Sequence, residues 1–160
     1  MKSKIAYLKS LPKKRLAAGL LLFDVDNRLL VLKPSYRDGW TIPGGVVNEY
    51  ESPLAAVIRE SKEEIGIKVC VLKCLALDYT KNTIDEYISE SLQIIFLGQK
   101  LSTDDVQSIK IDGREIVDYR LVEYHEALTM LDSKLATRLN ATNHITQEFI
   151  FLENGVPITV

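Results

Sequence analysis

Arg59, Glu60, Glu63 and Glu64 put one cation and three carboxylates within six consecutive positions. On a helix, positions i, i+3 and i+4 share a face, so Glu60, Glu63 and Glu64 point the same way. Like charges at that spacing weaken a helix by roughly 0.2–0.5 kcal/mol per pair. Arg59 and Lys62 are the only nearby cations, and Lys62 lies between the acids in sequence, at about 100° per residue round the helix. A divalent cation explains the cluster better than a solvated acidic face. Hard ions such as Mg²⁺ take carboxylate oxygens together with substrate phosphate and water.

The elements that must hold these acids are legible around them. Ser52 is a good N-cap, Pro53 suits the first helical position, and Gly66 ends the helix in a left-handed cap. Leu54, Ile58 and Ile65 form the apolar side, with Ala55, Ala56 and Val57 nearby for close packing. Upstream, Gly44-Gly45 allows a tight turn and close approach to a ligand. A glycine turn followed by an acid-bearing helix presents backbone carbonyls and carboxylates to one metal ion. An exposed charged helix would leave the glycines and Glu51 unexplained.

Gly45, Glu51, Arg59-Glu60, Glu63-Glu64 and Gly66-Ile67 together resemble the signature box of the Nudix (MutT-like) hydrolase family, at every spacing. Ser61 departs from it, standing where the family usually has an aliphatic residue. That position packs inward, and the serine hydroxyl is expected to bond back to a helical carbonyl. The resemblance implies an α/β fold, a mixed β-sheet sandwiched between α-helices. It implies a metal-dependent pyrophosphohydrolase that cleaves the diphosphate bond of a nucleoside diphosphate linked to another moiety: a nucleoside triphosphate, ADP-ribose or a nucleotide sugar. Mg²⁺ is the expected cofactor, with Mn²⁺ as a substitute. Glu60 and Glu64, then Glu63, are the expected ligands, with the Gly44 carbonyl beside them. Arg59 is expected to pair with a box glutamate, with Glu51 in the same network. The general base is a box glutamate or a distal acid, Asp112 or Glu115; Asp112 reads equally as a turn former. The rival reading is a domain of the same fold that senses a nucleotide without cleaving it. An isomerase acting on isopentenyl diphosphate shares the fold, but Cys70 and Cys74 fit its arrangement poorly.

Composition bounds the rest. The chain has 160 residues, 46% hydrophobic and 26% charged, with a net charge of −2. That suits one domain spanning residues 1–160, with an N-terminal extension at 1–15 and a C-terminal hairpin at 146–160. The charge argues against a stable nucleic-acid complex, which needs a basic surface, but not against a small nucleotide substrate. No apolar run has the length of a membrane span, and the N-terminus lacks the pattern of a signal peptide, so a cytoplasmic protein is expected. Cys70 and Cys74 read as small buried hydrophobes on one face of a strand.

In chain order, residues 1–15 read as a loosely docked or frayed segment. Residues 16–23 form a strand buried on both faces, with 29–33 as its hairpin partner. Residues 40–42 form a short strand into the glycine turn. Strands follow at 67–79, 90–101 and 115–122, with a polar loop at 80–86, and helices at 123–131 and 133–140. Asn154-Gly155 marks the final hairpin, whose edge could pair in a homodimer. Lys33 and Arg37, just before the glycine turn, and Tyr79 beyond the box are the candidates for binding substrate. Trp40 reads as a packing anchor, and neither His125 nor His144 is needed for the chemistry.

Overall fold

The computed structural model describes residues 3–84, 87–142 and 148–158, without the side chains at 82–84 and 87. The elements run α1 (Lys4–Ser10), β1 (Arg15–Leu21), β2 (Leu29–Pro34), β3 (Gly44–Val46), α2 (Pro53–Ile65), β4 (Val71–Ile84), β5 (Tyr87–Gly98), α3 (Thr103–Gln107), β6 (Ile116–Val122), α4 (Tyr124–Met130), α5 (Ser133–Ala141), β7 (Ile150–Glu153) and β8 (Val156–Pro157). Six strands form a mixed sheet in the order β3-β1-β5-β4-β7-β8, while β2 and β6 form a second, two-stranded sheet.

The run LAAGLLLF is buried on both faces because the sheet is covered on both. Ala18, Leu20 and Leu22 join Val57 and Ile65 of α2 in one core. Leu21 and Phe23 join Ala127 of α4 and Leu139 of α5 in the other. The alternation follows the period of two along a strand. Strand β2 splits the same way, Leu30 and Leu32 to the first core and Leu29 and Val31 to the second. The result is the helix–sheet–helix sandwich expected from the sequence.

Several local expectations are corrected. Residues 29–33 form a strand that meets the end of the first run as a short hairpin, Phe23 bridging Leu29 and Leu30 N–H donating to the Leu22 carbonyl at 2.9 Å, but the hairpin does not extend along β1. They pair antiparallel with β6, while β1 is flanked by β3 on one edge and by β5, in parallel, on the other. Residues 40–42 make only isolated bridges, Thr41 to Leu32 and Trp40 to Leu131. Residues 80–84 are strand rather than loop, because Thr80 to Ile84 continue the ladder against β5 down to Tyr87. Pairing of backbone groups outweighs the polar composition there. Strand β4 starts at Val71, so Cys70 precedes it and is exposed, its carbonyl accepting from Gln99 N–H at 2.8 Å. Only Cys74 is half-buried on the strand.

At the C-terminus, Asn154 (φ 52°) and Gly155 (φ 79°) turn β7 into β8, with both residues left-handed as this two-residue turn requires. Strand β7 joins the sheet parallel to β4. Helix α1 buries none of its residues. His144 lies outside the described residues.

Candidate active site

Helix α2 begins and ends as its sequence dictates. Ser52 accepts from Ala55 N–H, Pro53 opens the first turn, and Gly66 closes the last at φ 74°. Ser61 is fully buried and its hydroxyl donates to the Val57 carbonyl at 2.7 Å. The helix packs on β1 and β3, which brings its acids against the glycine turn.

Gly44 sits at φ 139°, and a Cβ there would lie 2.2 Å from the Ala18 carbonyl oxygen. Only glycine fits so close to β1. The Gly44 N–H donates to Glu64 at 2.9 Å. A Cβ on Gly45 would lie 2.5 Å from Glu60 Oε1, so the missing side chain is the space that the Glu60 carboxylate occupies. Replacing Gly45 with alanine should displace that carboxylate and leave the rest of α2 in place. The expected result is a loss in kcat/KM of about 10- to 100-fold, the scale of a 1 Å misplacement at a reacting centre. Steady-state kinetics beside a thermal melt would check it.

Arg59 organises the outer acids. It holds Glu51 with two parallel bonds, Nε to Oε1 at 2.8 Å and Nη2 to Oε2 at 2.9 Å. It also pairs with Glu60 and Glu63, both at 2.9 Å. Glu51 further accepts from Asn48 N–H at 3.0 Å. The Arg59 guanidinium, then the Asn48 N–H, hold the Glu51 carboxyl down to about 2. The same bonds raise Arg59 above its ordinary value.

Glu64 is the opposite case. It is 8% exposed and forms no ion pair among the described residues. Loss of solvent pushes its carboxyl up to about 8; the Gly44 N–H works against the rise, while Glu60, Glu115 and Asp112 add to it. Those two distal acids therefore lie on the same side of the molecule as the box. Asp112 is chiefly a loop former, accepting from the N–H groups of Arg114, Glu115 and Ile116 at 3.0–3.1 Å. Glu115 is exposed and sits just before β6 rather than on it.

A buried carboxyl that binds its proton more tightly in the folded state than in the unfolded chain, where it titrates near 4.5, makes stability fall as pH rises between the two values. The metal-free protein should therefore lose melting temperature from about pH 4.5 towards about pH 8. Glu64→Gln should remove that part of the slope, and a divalent ion that binds only the folded state should reverse it. Calorimetry in chelator, then in Mg²⁺, checks both.

The donor chemistry fits a hard divalent ion: a buried carboxyl, three further acids near it and, among the described residues, no paired cation on it. As the side chains stand, no three acidic, histidine or cysteine groups among the described residues are gathered round one point that could hold an ion. Arg59 holds Glu60 and Glu63 while Glu64 accepts from the Gly44 N–H.

A cleft of about 360 Å³ opens beside the glycine turn, on the α4/α5 face of the sheet. Gly44, Gly45 and Val46 form one end, Ala17, Gly19 and Ile95 part of the floor, and Leu135 and Arg138 of α5 the far wall. A second cavity of about 310 Å³ adjoins it, sharing Thr80, Lys134 and Arg138.

Of the substrate-binding candidates, Arg37 lines the cleft, its guanidinium 5.9 Å above the Tyr36 ring. Lys33 does not; its ammonium donates to the Gly39 carbonyl at 3.2 Å. Tyr79 faces the opposite side of the sheet from Thr80, and its hydroxyl donates to Glu90, which also takes the Lys14 ammonium. Trp40 lies beneath Arg120 at 4.8 Å, as a packing anchor, and His125 is exposed on α4. Sequence reasoning missed Arg15, Ser91, Gln93 and Arg138 at the cleft. Polar residues at 91 and 93, two apart and leading into the apolar run Ile94–Leu97, were the available signal.

The NUDIX domain family model matches residues 13–142. An RNA pyrophosphohydrolase of Hydrogenovibrio crunogenus is 31% identical over 73% of this chain and 87% of its own length. An 8-oxo-dGTP diphosphatase of Proteus vulgaris is 33% identical over 52% of this chain and 76% of its own. Among solved structures, a MutT protein of Methanosarcina mazei Go1 superposes with a TM-score of 0.68, covering 87% of this chain and all of that one at 22% identity. Members of this family generally use divalent metal ions. With the family model spanning most of the chain and the box at its glycine turn, this protein belongs to the Nudix family, as a hydrolase acting on pyrophosphate bonds.

Proposed function

We propose that this protein cleaves the diphosphate bond of a nucleoside 5′-triphosphate group, free or at the end of an RNA, with Mg²⁺ as its ion and Mn²⁺ as a substitute. One observation carries the reading: the acids of α2 meet the glycine turn that forms one end of a nucleotide-sized cleft. The names of the relatives favour triphosphates over ADP-ribose or nucleotide sugars.

In this reading Glu60, Glu64 and Glu63, with the Gly44 carbonyl, hold the ion. Bound there, a divalent ion neutralises phosphate oxygens and lowers the pKa of water. Arg59 and Glu51 act as a brace that fixes the Glu60 and Glu63 rotamers. Glu115, exposed at the loop before β6, is the candidate general base. Arg37 and Arg15 flank the cleft and offer charge to the phosphates or the base. Lys33 and Tyr79 have no part in it.

The test is a phosphate-release screen in Mg²⁺ or Mn²⁺, with inorganic pyrophosphatase or phosphatase as coupling enzyme, on nucleoside triphosphates, a 5′-triphosphorylated oligoribonucleotide, ADP-ribose and nucleotide sugars. Turnover of a triphosphate, abolished by chelator, is expected. Tight nucleotide binding with no product on any compound would overturn it in favour of a sensing domain.

A further inference from the structure

Strands β4 and β5 set four polar side chains in a block on one sheet face. Asp78 lies opposite Gln93, and Thr80 opposite Ser91. The next pair inward, Ala76 and Ile95, is apolar and buried. A covered sheet face normally favours apolar and β-branched residues, and a buried polar group there is costly unless it has a partner.

Half of the block is accounted for by the protein itself. Asp78 accepts from Arg138 Nε at 2.8 Å, from the Thr80 hydroxyl at 3.1 Å and from Gly155 N–H at 3.0 Å. The other half is not. Gln93 Nε2 donates to Ser91 Oγ at 3.0 Å. The Gln93 side-chain oxygen Oε1 and the Ser91 hydroxyl proton have no further protein partner among the described residues. Ser91 is 1% exposed, yet both side chains line the cleft. Beside Gln93 on β1 is the small side chain of Ala17, while the space over Gly19, beside Ile95, is taken by Ile42. Ile42, Ile95 and Leu135 supply apolar walls.

An anchored amide at the bottom of an apolar slot offers one acceptor next to one remaining donor. A nucleobase is flat, apolar on its faces, and carries a donor next to an acceptor on its edge. We propose that Gln93, held in orientation by Ser91, reads the edge of the substrate's base and sets base preference. This rests on the nucleotide reading above and assigns it a recognition residue. Gln93 touches the base and not the scissile phosphates, which lie at the end of the cleft formed by the glycine turn.

The test compares wild type with Gln93→Leu, Gln93→Glu and Ser91→Ala on ATP, GTP and ribose 5-triphosphate, which has no base. Gln93→Leu should lower kcat/KM on the better of the two nucleotides by about 10- to 100-fold, through KM, and bring the GTP:ATP ratio towards one. The loss should be confined to substrates that carry a base. Gln93→Glu offers acceptors only, so guanine, with adjacent N1–H and N2–H donors, should gain on adenine by about tenfold or more. Ser91→Ala should give a smaller loss of the same kind. Equal slowing of all three compounds, or an unchanged GTP:ATP ratio in both Gln93 variants, would overturn the assignment. If wild type turns over none of them, the functional reading fails on its own. Equilibrium binding of AMP and GMP then judges the base site. Gln93→Leu must weaken the tighter nucleotide and Gln93→Glu must shift preference to GMP. Affinities identical to wild type would sink it.

Discussion

Glu64→Gln should reduce kcat by about 10³-fold, roughly 4 kcal/mol of transition-state stabilisation, and leave the fold at least as stable as wild type. The two halves of that expectation have different causes. The amide keeps an oxygen for the Gly44 N–H, so the 2.9 Å contact that ties α2 to the glycine turn survives. It also removes a carboxyl that burial already disfavours in its charged form,. What it loses is the negative charge that a divalent ion requires. Glu60→Gln should show a comparable loss, because its carboxylate lies against Gly45, a residue that lines the cleft. Its stability should change little, since Arg59 retains Glu51 and Glu63. Single-turnover rates with a denaturation curve for each variant provide the check. Full activity in Glu64→Gln would sink the assigned chemistry.

Arg138→Ala should destabilise the protein by about 3–5 kcal/mol, the usual cost of leaving one partner of a buried ion pair alone. Arg138 and Asp78 are 6% and 1% exposed. The pair joins α5 to β4, and through Gly155 N–H it holds the β7–β8 turn as well. A domain of this size has a total stability of about 5–15 kcal/mol, so the melting temperature should fall by about 10 °C or more. Replacing both partners with apolar residues, Asp78→Leu with Arg138→Met, should recover most of the loss, because the desolvation cost of both charges goes with them. Urea unfolding of the single and double variants measures it. A single variant within about 0.5 kcal/mol of wild type would show that solvent reaches the pair freely.

The box helix was legible because everything that defines it is local. Caps, glycine positions and the i, i+3, i+4 acids act within a turn or two, and Ser61 found its bond four residues back at Val57. The long β4–β5 ladder was not legible, because residues 80–84 are polar and their strand character comes from the partner strand. The pairing of β2 with β6 was hidden for the same reason: LLVLK is equally apolar whichever edge it meets. Strand parity says that Tyr79 and Thr80 face opposite ways, but not which of them faces the cleft.

By itself the sequence determined the family, the sandwich and the stretch that carries the acids, since short-range patterns and caps encode them. Tertiary structure alone decided what those acids face. Asp78 meets Arg138 across 60 positions of chain, Gln93 reaches the cleft with Ser91 as its one side-chain partner among the described residues, and Lys33 turns to Gly39 instead. Such contacts depend on which strand edges and helix faces pair over long separations, and no local preference records that choice.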